Sequence, residues 1–182
     1  MSHTKTVAVV GAAGPPIVLA VPALITFLLV KATIFDVVSM RTTFMTKSMR
    51  NEKGEIIGEE FAMSGDERGA FESCLGVVMS EIFEIFLKHT TGIANSYLID
   101  ETNISIKILD HAAYNENLLH LVDLSVNDCV VEGCLQGWFA IRAQSELMQL
   151  SGINYSKQKE ALKSRLFQLK IRRAHPVVIA SV

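Results

Sequence analysis

Residues 122–142 read VDLSVNDCVVEGCLQGWFAIR, and we expect the rest of the chain to pack around them. Cys129, Gly133 and Gly137 recur at every fourth position, which places them on one face of a helix. A glycine inside a helix costs about 1 kcal/mol relative to alanine, so close packing against another backbone is the expected compensation. The pattern predicts a long central helix whose helix-packing residues are Cys129, Gly133, Gly137 and Trp138.

The overall composition favours an assembling protein. The 182 residues carry a formal net charge of −2, so no strong positive field points towards nucleic acid. The hydrophobic share is 49% and the mean hydropathy is +0.32, which indicates burial in a partner, a membrane or an oligomer. The three cysteines form no C-x-x-C pair and are expected to be reduced, small core residues.

The N-terminal residues 6–30 contain no charged side chain and are long enough to cross a bilayer. Three prolines argue against a spanning helix, because they remove backbone donors that lipid cannot replace. Short apolar runs between proline and glycine instead indicate an extended arm that lies on neighbouring subunits. A single-pass membrane segment is the alternative. With the apolar C-terminal tail, the arm supplies the expected oligomer contacts, Ile17, Leu24, Phe27, Leu28, Val177 and Ile179.

Helical periodicity predicts four helices, at 33–49, 64–89, about 118–150 and 154–173. The S-x-x-E pattern from Ser64 to Glu67 predicts a capping box at the start of the second helix. Ser151 and Gly152 are expected to break the pattern before the last helix.

Two shorter features complete the secondary structure. The alternation in residues 104–109 predicts a half-buried strand. Residues 97–99 are its hairpin partner across residues 100–103, or residues 100–103 form a plain loop. A strip of small residues on the second helix is expected to form another packing seam, with a solvent-facing strip as the alternative; it comprises Gly69, Ser73, Gly76 and Ser80.

No catalytic, cofactor-binding or metal site is predicted. The glycines lack the phosphate-loop and dinucleotide-binding spacings, and neither H-E-x-x-H nor G-x-S-x-G occurs. Asp66 and Glu67 are better explained as charges in the first turn of a helix. The five histidines share no spacing that indicates a metal. We therefore expect a protein that is not an enzyme.

The last predicted helix is basic. Its cations either form a solvated face near a helix C-terminus, or contact a phosphate backbone or an acidic partner. Because no aromatic residues are interleaved with the cations, binding to DNA would be non-specific. The candidate contacts are Arg165, Lys170, Arg172 and Arg173.

The order of these motifs resembles a family of small virion proteins. TIFDVVSMRTTF is followed by SGDERGAFESCLGVVMSEI, ISIKILD, CLQGWF and the basic LKSRLFQLKIRRAHP. This order is similar to head–tail connector, or neck ring, proteins of tailed phages of the crAss-like Bacteroides type. The resemblance implies a portal adaptor that forms rings of about twelve copies around the DNA channel, closed by head-to-tail contacts.

The resemblance implies a mainly α fold, a four-helix connector-like domain with a small β-hairpin or strand element and an extended apolar N-terminal arm. The expected divisions are the arm at 1–31, the helical domain at 32–176 and the tail at 177–182. The expected function is a structural subunit of the virion neck that joins portal to tail, present in the host cytoplasm during assembly. Its expected partners are its own copies, the portal protein, other neck or tail proteins and packaged DNA. A single-pass membrane protein and a small DNA-binding regulator are the alternatives.

Overall fold

A computed structural model describes residues 23–90, 95–110 and 116–169 of the chain. These residues form four α-helices and one small antiparallel sheet of three strands, which confirms a mainly α fold with a small β element. In chain order the elements are β1 (Ala23–Val30), α1 (Lys31–Thr46), α2 (Arg68–His89), β2 (Ser96–Ile99), β3 (Asn103–Asp110), α3 (Leu119–Ile141) and α4 (Ser145–Leu169).

The central helix is α3, which packs against α1, α2 and α4. Val122, Val126 and Val130 are fully buried along it, because their spacing of four places them on one helix face. Trp138 is also buried, and its indole Nε1 donates a hydrogen bond of 2.8 Å to the carbonyl oxygen of Phe61. This bond satisfies the polar atom of the largest core side chain and ties the loop before α2 to α3.

The second helix begins with the predicted capping box. The backbone N–H of Ser64 donates to Glu67 Oε2 at 2.8 Å, and a short 3₁₀ turn leads directly into α2. The box satisfies a backbone donor that a helix start would otherwise leave without a partner.

The sheet has the strand order β1-β3-β2, so β1 and β2 are its edges. Phe27 on β1 and Tyr97 on β2 both lie opposite Ile106 of the central strand. The inner face packs on α2, where the ring centroids of Phe27 and Phe86 are 5.5 Å apart. The buried side chains of this face are Ile25, Phe27, Leu29, Ile104, Ile106 and Ile108.

The strand β3 confirms the alternation of residues 104–109, and its antiparallel pairing with β2 shows that the hairpin, not the plain loop, is the correct alternative. Asp100 holds its turn, because Oδ1 accepts hydrogen bonds from the backbone N–H groups of Thr102 at 2.8 Å and Asn103 at 2.6 Å. These hydrogen bonds lower the pKa of the exposed Asp100 carboxyl group below its ordinary value, and the bond from Asn103 has the larger effect.

The structure of residues 23–30 differs from the extended arm that was expected at residues 1–31. They form β1 of the chain's own sheet, and β1 runs directly into α1 at Lys31. Phe27 is fully buried within its own subunit, so it is not an oligomer contact as the apolar pattern predicts. The physical reason is that Phe27 and its neighbours on β1 cover Ile104, Ile106 and Ile108 of β3, which would otherwise face water.

The strand at Ala23–Val30 shows that the apolar run of residues 6–30 does not form one helix through to its end. Residues 6–22 lie outside the described residues, so the membrane alternative stays a prediction. In the described parts of the chain, no helix combines the length and the apolar character needed to span a bilayer. Several predicted contacts lie outside the described residues: Ile17, Lys170, Arg172, Arg173, Val177 and Ile179.

The predicted helix break at Ser151 and Gly152 is wrong. The central helix ends at Ile141, and α4 continues through both residues to Leu169. Ser151 is fully buried, and an added Cβ at Gly152 would lie 3.0 Å from Gln136 Nε2. These small residues therefore mark the close approach of α4 to α3, and the chain turns earlier, where Ala143 has a positive φ of 54°.

Candidate assembly surface

The helix seam around Gly133 and Gly137 is closely packed. A Cβ added at Gly133 would lie 2.7 Å from Val78 Cγ2 of α2 and 3.0 Å from Tyr155 Cε2 of α4. A Cβ added at Gly137 would lie 2.9 Å from Cys74 Sγ. These separations are shorter than normal van der Waals contact, so glycine at both positions lets α2 lie directly on α3.

The cysteines at this seam are core residues. Cys129 and Cys134 are fully buried, and Cys74 is 7% exposed. Burial raises the pKa of the Cys129 thiol to about 12, with a further contribution from the nearby Asp128 carboxylate. Burial also raises the pKa values of Cys134 and Cys74. Protonated, enclosed thiols are poor nucleophiles, so these three cysteines serve to pack the seam.

Arg165 does not lie free on a basic face. Its Nη1 donates a hydrogen bond of 2.7 Å to the carbonyl oxygen of Leu121 and a second, short one to Ser125 Oγ, both on α3. Ser125 is fully buried, so the guanidinium group satisfies a core hydroxyl group while it anchors the end of α4. The predicted role of Arg165 as a DNA or acidic-partner contact is therefore corrected to an internal one.

Two lysines of α4 are also engaged within the chain. Lys159 Nζ lies 3.0 Å from Glu81 Oε2, which also accepts a hydrogen bond of 3.1 Å from the hydroxyl group of Tyr155. Lys163 pairs with Glu160 at 2.5 Å. These pairs neutralise much of the positive charge on the described part of α4, which leaves a weaker field for DNA than the sequence indicates.

The outer face of the sheet has no helix against it in the described residues. Leu24, Leu28 and Val30 of β1 are 47–48% exposed, and Leu98 of β2 is 60% exposed. Leu28 and Leu98 lie on either side of Ser105, which is opposite both in the strand register. Since neighbouring strands lie about 4.8 Å apart, these side chains share one surface. We call Leu24, Leu28, Val30 and Leu98 the open sheet face.

A groove runs beside the edge of β1 that pairs with no strand in the described residues, which we call the free edge. We call it the β1–α3 groove, because Leu28 and Val30 lie on one side and Leu124 of α3 on the other. Its volume is about 290 Å³, and Leu124 supplies an apolar side chain that is 44% exposed. The polar residues of its lining are Thr33, His120, Asp123 and Asn127.

The strip of small residues on α2 does not form a packing seam within the described chain. Gly69, Ser73 and Ser80 are exposed, and a Cβ added at Gly69 or Gly76 would meet no atom within 4 Å. The strip therefore faces solvent, which is the alternative interpretation of the sequence. Small size alone does not distinguish a close helix contact from an exposed face.

No chemical centre emerges from the described residues. They contain no group of three or more histidine, cysteine, aspartate or glutamate side chains placed to hold a metal ion. The buried Glu132 pairs with Arg41 of α1 at 2.7 Å, an ion pair that joins two helices within the core. The arrangement can support contacts between protein surfaces, and its most distinctive features are the open sheet face and the β1–α3 groove.

Sequence reasoning identified part of this surface. It placed Leu24 and Leu28 among the contacts, and both are half-exposed. It did not separate these residues from the buried Phe27, because residues 23–30 lack an alternation of polar and apolar side chains that would distinguish the two faces of the strand. It missed Leu98 and the groove. No family model, curated protein or solved structure matches this chain.

Proposed function

We propose that this chain is a non-enzymatic structural subunit that assembles through its sheet into a neck ring of a tailed-phage virion. In that role it joins the portal to the tail around the DNA channel and gathers in the host cytoplasm during assembly. The open sheet face is the observation that carries the proposal. The order of sequence motifs described above supplies the virion context.

The argument from the open sheet face rests on contiguity. Single exposed apolar side chains are ordinary on protein surfaces, whereas a continuous apolar patch marks an interaction site. Here the β1 residues Leu28 and Val30 lie two positions apart on the same face, and Leu98 extends the patch across the sheet. Thr26 and its partner Lys107 lie on the same face, between this patch and Leu24. Apolar side chains with polar ones beside them are the usual composition of a protein interface.

A ring requires a second, different surface on the same subunit, because head-to-tail contacts join unlike patches. The outer side of α1 supplies one. Met40 and Phe44 are 64% and 67% exposed and lie one helical turn apart. We assign the repeating contact to the open sheet face of one copy and these two residues of the next.

Other partners follow from the same proposal. The portal protein and other neck or tail proteins would contact the ring faces that the repeating contact leaves uncovered. For packaged DNA, the remaining candidates of the basic end are Lys170, Arg172 and Arg173, which lie beyond the described residues. Contact there would be through phosphates and would weaken steeply with salt.

Native mass spectrometry of the full chain, alone and with the portal protein of the same virion, tests the function. We expect a closed oligomer, or a monomer that forms one on the portal. The double variant Leu24→Ser/Leu98→Ser should abolish the oligomer, since it removes apolar area from both ends of the open sheet face. The matched control Leu150→Ser, at a residue that is 50% exposed on α4, should leave the oligomer intact.

A mixing experiment distinguishes a head-to-tail contact from a symmetric one. Neither Leu24→Ser/Leu98→Ser nor Met40→Ser/Phe44→Ser should assemble alone, but their mixture should form dimers through the one intact interface. A sheet-to-sheet contact would instead let the α1 variant assemble by itself. A wild-type chain that stays monomeric at all concentrations and ignores the portal would overturn the proposed function.

A further inference from the structure

We propose that residues 177–182 of the chain bind in the β1–α3 groove of their own subunit and add a fourth strand to the free edge of β1. This goes beyond the proposed function, because it concerns how one subunit completes its sheet. It does not depend on ring formation.

The free edge of β1 is suited to strand addition. An edge strand presents backbone N–H and C=O groups that have no partner within the sheet, and proteins usually protect such edges with charge, proline or a bulge. Residues 23–30, ALITFLLV, contain no charge and no proline. Their pairing with β3 runs without interruption from Ala23 to Val30. The edge is therefore long, regular and apolar.

The groove selects an apolar strand. A strand beside β1 would place every second side chain towards α3, where Leu124 is 44% exposed and Val126 also lines the groove. The other side chains would extend the open sheet face next to Leu28 and Val30. An occupant that is apolar at successive positions fits both sides.

Residues 177–182, VVIASV, have this composition. They carry no charge, and four of the six are β-branched valine or isoleucine, which are the residues that favour strands. Six residues in a strand span about 20 Å, which is most of the length of β1. Ser181 is their only polar side chain.

The end of α4 places this segment within reach of the groove. Arg165 bonds to Leu121 and Ser125, so the last turn of α4 lies beside the first turns of α3. Those turns also line the groove through His120 and Leu124. Residues 170–176 form a connection of seven residues, which can extend to about 24 Å. A helix is about 10 Å wide, so the connection is long enough to pass around α3.

The N-terminal apolar residues are less well placed. They precede β1 and leave it at Ala23, whereas the groove is lined by the opposite half of the strand, from Phe27 to Val30. Residues 17–21 are separated from β1 by Pro22 alone. A fold back across one proline does not supply the two-residue turn that a tight hairpin requires.

Hydrogen–deuterium exchange tests the added strand. The full chain is compared with a variant truncated after Pro176, both carrying Leu24→Ser/Leu98→Ser so that assembly does not contribute. Truncation should speed exchange in peptides that cover Phe27–Val30 by about tenfold or more, because it exposes the backbone N–H groups at the edge of β1 to water. Exchange in the buried middle of α3 should not change, which shows that the fold is retained. Deletion of residues 1–21 is the matched control and should leave Phe27–Val30 unchanged.

Cross-linking tests which copy supplies the strand. The variant Leu124→Cys/Ser181→Cys is treated with a short bismaleimide in an equal mixture of ¹⁵N-labelled and unlabelled protein, and the three native cysteines are buried. We expect links within single chains. Leu150→Cys/Ser181→Cys is the control, because position 150 lies about 28 Å along α4 from Leu169 and should give few links.

Three results would overturn the inference. These are an unchanged exchange rate at Phe27–Val30 after truncation, faster exchange there after deletion of residues 1–21 instead, and links that join labelled to unlabelled chains. None of them bears on whether the wild-type protein forms a ring, so the two proposals fail separately.

Discussion

Gly133 lies where both α2 and α4 approach α3, and its missing side chain decides how close they come. Val78 Cγ1 and Cγ2 would be 2.8 and 2.7 Å from an added Cβ. Valine in a helix is nearly restricted to one rotamer, so its two methyl groups cannot both move away. The backbone would have to shift instead. One hydrogen atom in place of a methyl group therefore sets the spacing of three helices.

We predict that Gly133→Ala destabilises the protein by about 1–2 kcal/mol. Overpacking costs about 1–3 kcal/mol, and the better helix propensity of alanine returns up to about 1 kcal/mol of that cost. Urea unfolding followed by circular dichroism measures the change.

Gly76→Ala on α2 is the matched control, because an added Cβ there meets nothing within 4 Å. It should stabilise the protein by up to about 1 kcal/mol. Equal effects of the two substitutions would show that Gly133 matters only through helix propensity.

The helix α3 ends without the glycine that is usual at a helix C-terminus. The N–H of Gln144 donates to the carbonyl oxygen of Phe139 at 2.9 Å, and that of Ala143 to Ala140 at 3.1 Å. This pair of bonds is the Schellman motif, which places its C′ residue in the left-handed region. Glycine is usual there, but this chain has Ala143 with a φ of 54°. The absence of a glycine explains why the sequence does not indicate a helix end at this point.

We predict that Ala143→Gly stabilises the protein by about 1 kcal/mol, because glycine adopts a positive φ without the steric cost of a Cβ. The measurement is the shift in the urea midpoint at an unchanged slope. Ala140→Gly, at an exposed helical position three residues earlier, should destabilise by about 1 kcal/mol. If both variants are destabilised, the left-handed turn is not a source of strain.

At the scale of the whole molecule, β1 connects the start of the described fold to its middle. It pairs with β3, some 80 residues further along the chain, and its inner side chains reach α2. Residues 23–30 are thus part of the core, while the same strand presents Leu24 and Leu28 to a partner. A strand with one buried and one open face can link the stability of a subunit to its assembly surface.

We predict that Phe27→Ala destabilises the subunit by about 3–5 kcal/mol, as expected for a fully buried aromatic side chain. Leu24→Ala, on the opposite face of the same strand, should cost less than about 1 kcal/mol. Thermal unfolding of a monomeric background measures both. A Phe27→Ala variant as stable as Leu24→Ala would mean that residues 23–30 behave as a separate arm.

The candidate site was predictable only in part, for a reason visible in single residues. Leu24, Phe27 and Leu28 are all apolar in an uncharged run, so the sequence cannot tell which of them faces the core. Arg165 looked like one cation among several, and only its bonds to Leu121 and Ser125 distinguish it. Exposure and pairing depend on which element lies next to a side chain.

The amino-acid sequence by itself determined the number of helices, the course of α1 and α2, the buried face of α3, the capping box at Ser64 and the strand β3. Each of these depends on periodicity or on contacts between residues close in the chain, which local physical chemistry specifies. Only the tertiary structure decided that residues 23–30 pair with β3 and that α4 continues through Ser151 and Gly152. Both outcomes depend on burial against residues that are distant in the sequence. A local sequence pattern does not reveal the free energy of that burial.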